Sequence, residues 1–457
     1  LQNPRNSTRD GLSIVAILSL ALFSLSVSAC GDDAGGEIDS DSWEPPTDTD
    51  PPDVGEGDAE TDADAGDSTD SVEVDTGGDT EVDSNEQPVP FAVVDFNVIA
   101  TEANLAALHG DPGSELEIPA VVEVDGHRYE DCELEIHGGF ARTVPKLSYR
   151  ITFDADDPLT TVLFSEEPEE HRRIVLHASW IDPTYTRNCL TLDLIRELGG
   201  LSPRCQYANL LLNGVYQGFY IAIERIDETY LERNGLDDDG LLIKAESHAA
   251  NWGNKPNPLD GFSVKSDEAP TDSVAELLRT LSETPATAAD FEQTVEQWLN
   301  LDGFMVFQLV HTLANNRDTF TKNYYLYYDW EAATGPFELI SWDADATWGI
   351  SWDGAVAATD ETRWRGNDAF SPRLFSIPEY RDPYLAEYAM LVDDPVFEAW
   401  VLDDVRERRE RIEPFAVRDL EAWERGVDFA AAADVLEGDV RARFATMRGV
   451  LDGSGDR

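Results

Sequence analysis

The sequence NNRDTFTKNYYLYYD at 315–329, followed after a Gly335-Pro336 turn by FELISWDAD at 337–345, decides how this chain is read. Asp318 and Asn323 stand five residues apart. Tyr324 to Tyr328 and Phe337 to Trp342 read as two strands joined by that turn, and the second strand ends in Asp343 and Asp345. Upstream, Phe304, Phe307, Leu309, Val310 and Leu313 recur at helical spacing, so 291–314 reads as a mostly apolar helix leading into the Asp318 loop. A carboxylate able to accept a proton is thereby set near an amide and further carboxylates able to hold a divalent cation. Phosphoryl transfer is mostly positioning and charge neutralisation, and it asks for such an Asp/Asn/Asp set around Mg²⁺. Taken singly, each Asp reads better as a turn or cap residue. The combination, in this order and after this helix, favours chemistry.

The N-terminal segment carries a different message. Arg5 and Arg9 precede an apolar run from Leu12 to Leu25, and Val27-Ser28-Ala29-Cys30 follows. That is the pattern of a secretory signal over 1–29. Cys30 at the first mature position reads as a bacterial lipidation site that anchors the protein to a membrane; the alternative is an ordinary signal with a chance cysteine. Residues 31–86 hold about 22 acids and no Lys, Arg or His, with many Pro, Gly, Ser and Thr. Such a segment cannot bury enough surface to offset its ordering entropy, so 30–86 reads as a disordered, self-repelling tether. The apolar run is short for a membrane span, and no other segment approaches the required length.

The chain has 457 residues and a formal net charge of −59. Setting aside the leader and tether leaves the remainder near −38, about two thirds of the total. Nucleic acid is therefore excluded as a partner, because it demands a basic face. A basic protein substrate or a cation is electrostatically welcome, although an acidic surface also simply keeps an exported protein soluble. Of the four cysteines, Cys189 and Cys205 are the favoured bridge in an oxidising compartment, closing a loop worth about 3 kcal/mol.

From about residue 91 the order of elements is strands first and helices later. Leu147, Tyr149, Ile151 and Phe153 alternate with Lys146, Ser148, Arg150 and Thr152, which predicts a half-buried strand beginning at Lys146. Gly138-Gly139 breaks the preceding pattern as a turn. Thr186 to Leu198 has helical periodicity stopped by Gly199-Gly200. Tyr207 to Leu212 and Val215 to Glu224 flank Asn213-Gly214, a strong type I′ hairpin signal. Residues 274–281, 380–411 and 432–451 read as helices, and 246–275 has no clear assignment. This order predicts an α+β fold, with a mainly β N-terminal lobe over about 91–227 and a mainly helical C-terminal lobe over about 228–457.

Other candidates were weighed on their residues. Lys146, one of only five lysines, sits on the polar face of an early strand, where a point charge for phosphates is useful; on this residue alone a solvated strand face is the better reading. Asp343-Ala344-Asp345-Ala346-Thr347 also matches the first motif of haloacid-dehalogenase-type phosphatases. Against that reading, the motif lies late in the chain and no lysine follows Lys322. The seven histidines show no metal spacing, and no nucleophile elbow occurs.

Together these elements resemble the spore coat protein H (CotH) kinase family, atypical protein kinases that are secreted or associated with spore coats. The resemblance is carried by HGG…PKLSY around Lys146, TRNCLTLDLIRELGG at 186–200, LLLNGVYQGFYIAIERID at 210–227, and RDTFTKNYYLYYD with FELISWDAD at 317–345. It implies a two-lobed, kinase-like fold over 91–457, an ATP and Mg²⁺ site, and phosphorylation of Ser or Thr in protein substrates. Carried over by position, Lys146 contacts phosphates, Asp318 is the catalytic base, and Asp343 holds metal with Asn323 and Asp345. Phe337 stacks on adenine, and Glu224 lies near the hinge. His137-Gly138-Gly139-Phe140 stands where the family usually has an Arg-Gly-Asn-Ser-like element, and Phe337 where it usually has Trp. Because ATP is scarce outside the cytoplasm, an alternative is a surface binding or assembly module that keeps the fold without turnover.

Overall fold

The computed structural model describes residues 93–165, 167–266, 269–332 and 335–453. The signal peptide, Cys30 and the acidic tether lie outside the described residues.

The N-terminal half is built on strands β1 (Val94–Ile99), β2 (Glu117–Val124), β3 (His127–His137) and β4 (Ser148–Thr152). A side hairpin, β5 (Leu159–Thr161) and β6 (Glu169–His171), precedes β7 (Arg173–His177), β8 (Cys205–Leu212) and β9 (Val215–Glu224). Seven of these close into a barrel in the order β1-β2-β3-β4-β7-β9-β8, sealed by parallel pairing of β1 with β8. Closure removes the exposed edges that an open sheet would leave. The β8–β9 hairpin forms as the Asn-Gly signal requires, with φ of 50° at Asn213 and 78° at Gly214.

Side-chain alternation gives each barrel strand two apolar faces with different tasks. Leu134, Ile136, Tyr149, Ile151, Leu176, Tyr220 and Ala222 fill the barrel. Val175, Ile221 and Ile223, on the opposite parity, join Tyr325, Ile340 and Trp342 in a second cluster outside it. Those partners belong to a four-stranded sheet ordered β11 (Phe262–Val264), β10 (Leu241–Ala245), β12 (Tyr324–Tyr328) and β13 (Glu338–Ser341). The chain is therefore α+β, with its β-rich part first and its helices concentrated later.

Helix α1 (Glu102–Gly110) lies against the barrel, and α2 (Arg187–Glu197) leads into the second half. Asp227 caps α3 (Glu228–Arg233), its carboxylate accepting the Tyr230 N–H. Then come α4 (Asp272–Glu283), α5 (Ala288–Thr294) and α6 (Leu301–Leu313). The expected continuous helix over 291–314 is broken: Leu299 bridges to Phe337, and Asn300 starts α6 by accepting the Gly303 N–H. After α7 (Ser371–Leu374), the expected 380–411 helix divides into α8 (Pro378–Asp393) and α9 (Pro395–Ala422). Asp394 caps the second piece and Pro395 opens it. The last helix is α10 (Phe429–Asp452). No helix among the described residues is long and apolar enough to cross a membrane.

The strand expected from Lys146 begins two residues later, at Ser148. Lys146 itself is 1% exposed and enclosed between the barrel and α9. Its ammonium lies 2.8 Å from Asp419 Oδ2, donates to the Phe219 carbonyl, and sits 4.5 Å from the Tyr220 ring centroid. Asp419 also accepts the Tyr185 hydroxyl and, at 2.7 Å, the Phe219 N–H. Gly218, at φ +143°, leaves the space this cluster occupies; a Cβ there would collide with Asp419 and Lys146. Burial pushes the Lys146 ammonium down to about 8, and Asp419 opposes that shift.

A buried charge left without its partner is far more costly than the intact pair is stabilising. Asp419→Ala is expected to lower stability by about 3–5 kcal/mol. Pairing Asp419→Leu with Lys146→Met restores most of it, because no uncompensated charge remains. Urea unfolding of the two variants beside wild type checks both statements; equal losses in both would show that packing, not charge, holds α9 to the barrel.

Candidate functional site

The polar residues on the outer barrel face leave a gap to the second sheet, which Arg225 spans by donating to Tyr325 Oη at 3.1 Å. They line a cavity of about 490 Å³ between the barrel and the helical half. That volume suits a small-molecule ligand. Glu135 and Arg150 are cross-strand partners on β3 and β4, paired at 2.8 Å on the cavity wall. His177 ends β7, and Arg225 follows β9. Lys244 comes from β10, while Lys265 and Lys322 come from loops. Three of the chain's five lysines thus line one cavity in a protein whose net charge is −59.

The loop after α6 brings Asp318, Lys322 and Asn323 to the same space, and the segment after β13 brings Trp342, Asp343 and Asp345. Asn323 Nδ2 donates to Asp318 Oδ2 at 3.0 Å and to the Asp318 carbonyl at 2.7 Å. Lys322 Nζ lies 2.8 Å from Asp318 Oδ1. Burial raises the Asp318 carboxyl above its ordinary range, and Lys322 counteracts the shift.

The backbone of both loops is held from behind. The Asp318 N–H donates to Asn316 Oδ1 at 2.8 Å, and Asn316 Nδ2 donates to His311 Nδ1 at 3.1 Å. His311 Nε2 then reaches Ser341 Oγ at 2.8 Å. His311 is wholly buried, and burial lowers it to about 3, so it is neutral and serves as a fixed connector. The Ala344 N–H donates to Asn188 Oδ1 on α2, and the Trp348 N–H to the Ala314 carbonyl. Phe320, Asn323 and Asp343 have φ of 72°, 59° and 56°. Left-handed backbone at a bulky residue such as Phe320 persists only where the surroundings fix it.

His177 Nε2 and the carboxylate oxygens of Asp343 and Asp345 lie within 4.8 Å of one another. Asp345 is held well above the usual carboxylate range by burial first and then by the charges of Asp343, Asp318 and Asp182. A cation placed among them relieves this repulsion, so the residues fit a divalent ion. The Ser179 N–H donates to His177 Nδ1 at 3.2 Å. In the neutral ring the proton is then on Nε2, 3.8 Å from Asp345 Oδ2. The carboxylates of Asp343 and Asp345 offer an ion oxygen atoms, the donor type of Mg²⁺.

Four of the expected site residues, Asp318, Asn323, Asp343 and Asp345, converge on the cavity. Three others do not reach it. Lys146 is committed to Asp419 behind the barrel wall. Phe337 is fully buried and stacks on Tyr328 at 4.6 Å, so it has no face to offer an adenine. Glu224 lies one residue from Ile223 and Arg225 and so has the opposite parity. It is 2% exposed and neutralised by Arg204 and Arg233. Thr347, which a phosphatase motif would aim at a phosphate, is buried and donates to the Ala344 carbonyl. Sequence reading missed His177, Arg225 and Lys244. The free Cys132 is buried, while Cys189 and Cys205 form the expected disulfide between α2 and β8.

The inner spore coat protein H of Bacillus subtilis (strain 168) is 29% identical over 333 residues, covering 71% of this chain and 88% of its own. A solved complex of HipA and HipB with operator DNA from Shewanella oneidensis MR-1 aligns over 68% of this chain and 60% of that one. It does so at 12% identity and a TM-score of 0.32, which is too remote to carry an argument. The family model described as CotH kinase protein matches residues 134–447, which include the outer barrel wall, both acidic loops and the helices behind them. The chain belongs to the CotH kinase protein family.

Proposed function

We propose that this protein is an exported, membrane-tethered kinase that transfers the terminal phosphate of ATP to Ser or Thr of protein substrates. The observation that carries this reading is the convergence of Asp318, Asn323, Asp343 and Asp345 on a cavity that also holds three lysines. Asp318 accepts the proton of the substrate hydroxyl. Asp343 and Asp345, with the Asn323 amide oxygen, hold Mg²⁺, which supplies charge neutralisation to the phosphates when bound. Lys244 and Arg225 face the phosphates in place of Lys146. Trp342, which lines the cavity, provides an aromatic surface on which a base can lie.

Export is supported by the Cys189–Cys205 disulfide, which belongs to an oxidising compartment. The leader ending at Cys30 supports a lipid anchor, and the acidic segment a tether. The strongly acidic chain favours a basic, Ser- or Thr-rich protein as substrate.

With labelled ATP and Mg²⁺, the protein is expected to label a basic Ser-rich acceptor. Asp318→Asn should lower transfer about 10²–10⁴-fold, the usual contribution of a general base, while nucleotide still binds. Equal labelling by wild type and variant would remove Asp318 from catalysis. Nucleotide binding without any labelling would favour the binding-module reading.

The metal assignment has its own signature. In chelator, Asp345→Asn should melt at a higher temperature than wild type, because a repelled buried carboxylate is gone. With Mg²⁺ at about 100 times its dissociation constant, wild type should gain about 2.7 kcal/mol and the variant little. Thermal unfolding in both conditions reads the crossover; stabilisation that survives the substitution would place the ion elsewhere.

A further inference from the structure

The segment after β13 holds Asp343 and Asp345 in a backbone conformation that such residues do not favour, with φ of 56° at Asp343 and 48° at Trp348. One side of it rests on a single short stretch of chain, residues 187–201. The Ser341 N–H, at the end of β13, donates to the Leu201 carbonyl at 2.8 Å. The Ala344 N–H, between the two acids, donates to Asn188 Oδ1 at 3.0 Å. The Thr347 and Thr191 hydroxyls meet at 3.2 Å, and Trp348 Nε1 donates to Thr191 Oγ1 at 2.9 Å. Arg187 Nε donates to the Trp348 carbonyl at 3.2 Å. These partners all lie in α2 or in the turn that follows it.

The Cys189–Cys205 disulfide closes that stretch into a ring, across a sequence separation of 16. Cys189 stands between Asn188 and Thr191 and is wholly buried. Cys205 opens β8, a strand of the barrel. The bond therefore ties the supporting turn of α2 to the barrel, and the barrel supplies His177 to the same acids.

We propose, resting on the Mg²⁺ assignment in the kinase reading above, that Cys189 and Cys205 are positioning residues for the metal site. Their bond fixes α2 where Asn188 and Thr191 hold Asp343 and Asp345 ready for the ion. Groups that share a ligand must be placed to within about 0.5 Å, by neighbours that are themselves locked. The bond forms as the chain folds: two thiols lose two electrons and two protons to an incoming disulfide, which leaves as two thiols. Burial then closes it to exchange, so it is a permanent brace. A chain in a reducing compartment keeps both thiols and holds the ion more weakly, so that export completes the metal site.

The competing account confines the disulfide to the unfolded ensemble, where a cross-link removes chain entropy and leaves the native site as it was. Calorimetric titration of the full chain with Mg²⁺ separates the two. Cys189→Ala combined with Cys205→Ala should raise the Mg²⁺ dissociation constant about tenfold, the lower end of what losing an outer support costs a metal site. Cys189→Val with Cys205→Ala, which refills the core, should show the same rise. Asn188→Ala with the bond intact should also weaken Mg²⁺, because the bond acts through Asn188. Asp419→Ala, destabilised behind the barrel wall, should bind Mg²⁺ as wild type does. Thermal unfolding verifies that each variant is folded at the titration temperature. Unchanged affinity in the disulfide variants overturns the proposal. So does unchanged affinity in Asn188→Ala, or equal weakening in Asp419→Ala, which is what general loosening gives. If wild type itself binds no Mg²⁺, the metal assignment fails and this inference with it, and that result is seen before any variant is made.

Discussion

The outer face of the barrel is the constraint on which the rest of the structure depends. Val175, Ile221 and Ile223 point away from the barrel interior, and water is a poor neighbour for them. At about 25 cal/mol per Å² of buried apolar surface, covering that face is a major part of joining the two halves. Tyr325, Ile340 and Trp342 of the second sheet supply the cover. Where the same face turns polar, at Glu135, Arg150, His177 and Arg225, close packing stops and the cavity opens. The site is the polar gap in an otherwise apolar contact, and its position follows from which outward residues are charged.

The Lys146 cluster fixes the far side of that contact. One carboxylate, Asp419, gathers the Lys146 ammonium, the Tyr185 hydroxyl and the Phe219 N–H, all on the barrel half. Asp419 comes from α9, late in the chain, so a single residue ties the longest helix to strands formed some two hundred residues earlier. A lysine that the sequence offered for phosphate chemistry is thus used for assembly. The basic groups lining the cavity come instead from β10 and from the end of β9, elements whose lysine and arginine sit in no recognisable motif.

What was legible from sequence was local. Asn213-Gly214 specifies its turn by backbone preference alone, and Arg187 to Glu197 announces its helix by spacing and a glycine stop. Asp318, Asn323, Asp343 and Asp345 were legible because each sits a few residues from the end of a strand or helix that could itself be read. The failures involve distance or parity. The helix break at Leu299 arises from its bridge to Phe337, which no local pattern encodes. Glu224 faces away because its neighbours on either side claim the cavity face. Phe337 is buried because Tyr328, across a turn, stacks on it. His177 and Lys244 reach the site only once the barrel closes and the second sheet packs on it. The break before Pro395 is different: Asp394-Pro395 is a readable capping signal that a long apolar periodicity hid.

The acidic centre is an arrangement that folding by itself disfavours. Asp343, Asp345 and Asp318 repel one another at partly buried positions, and burial first, with that repulsion added, holds Asp345 well above its ordinary carboxylate range. The backbone is held in left-handed conformations at Asn323, Asp343 and the bulky Phe320 to bring the side chains there. Asn188, Ala314 and the Asn316–His311–Ser341 connection keep both loops in place. Strain and like-charge crowding, maintained by so many buried hydrogen bonds, are what a functional site keeps and a plain turn does not. The same crowding draws in a cation of the chain's own, since Lys322 Nζ lies 2.8 Å from Asp318 Oδ1.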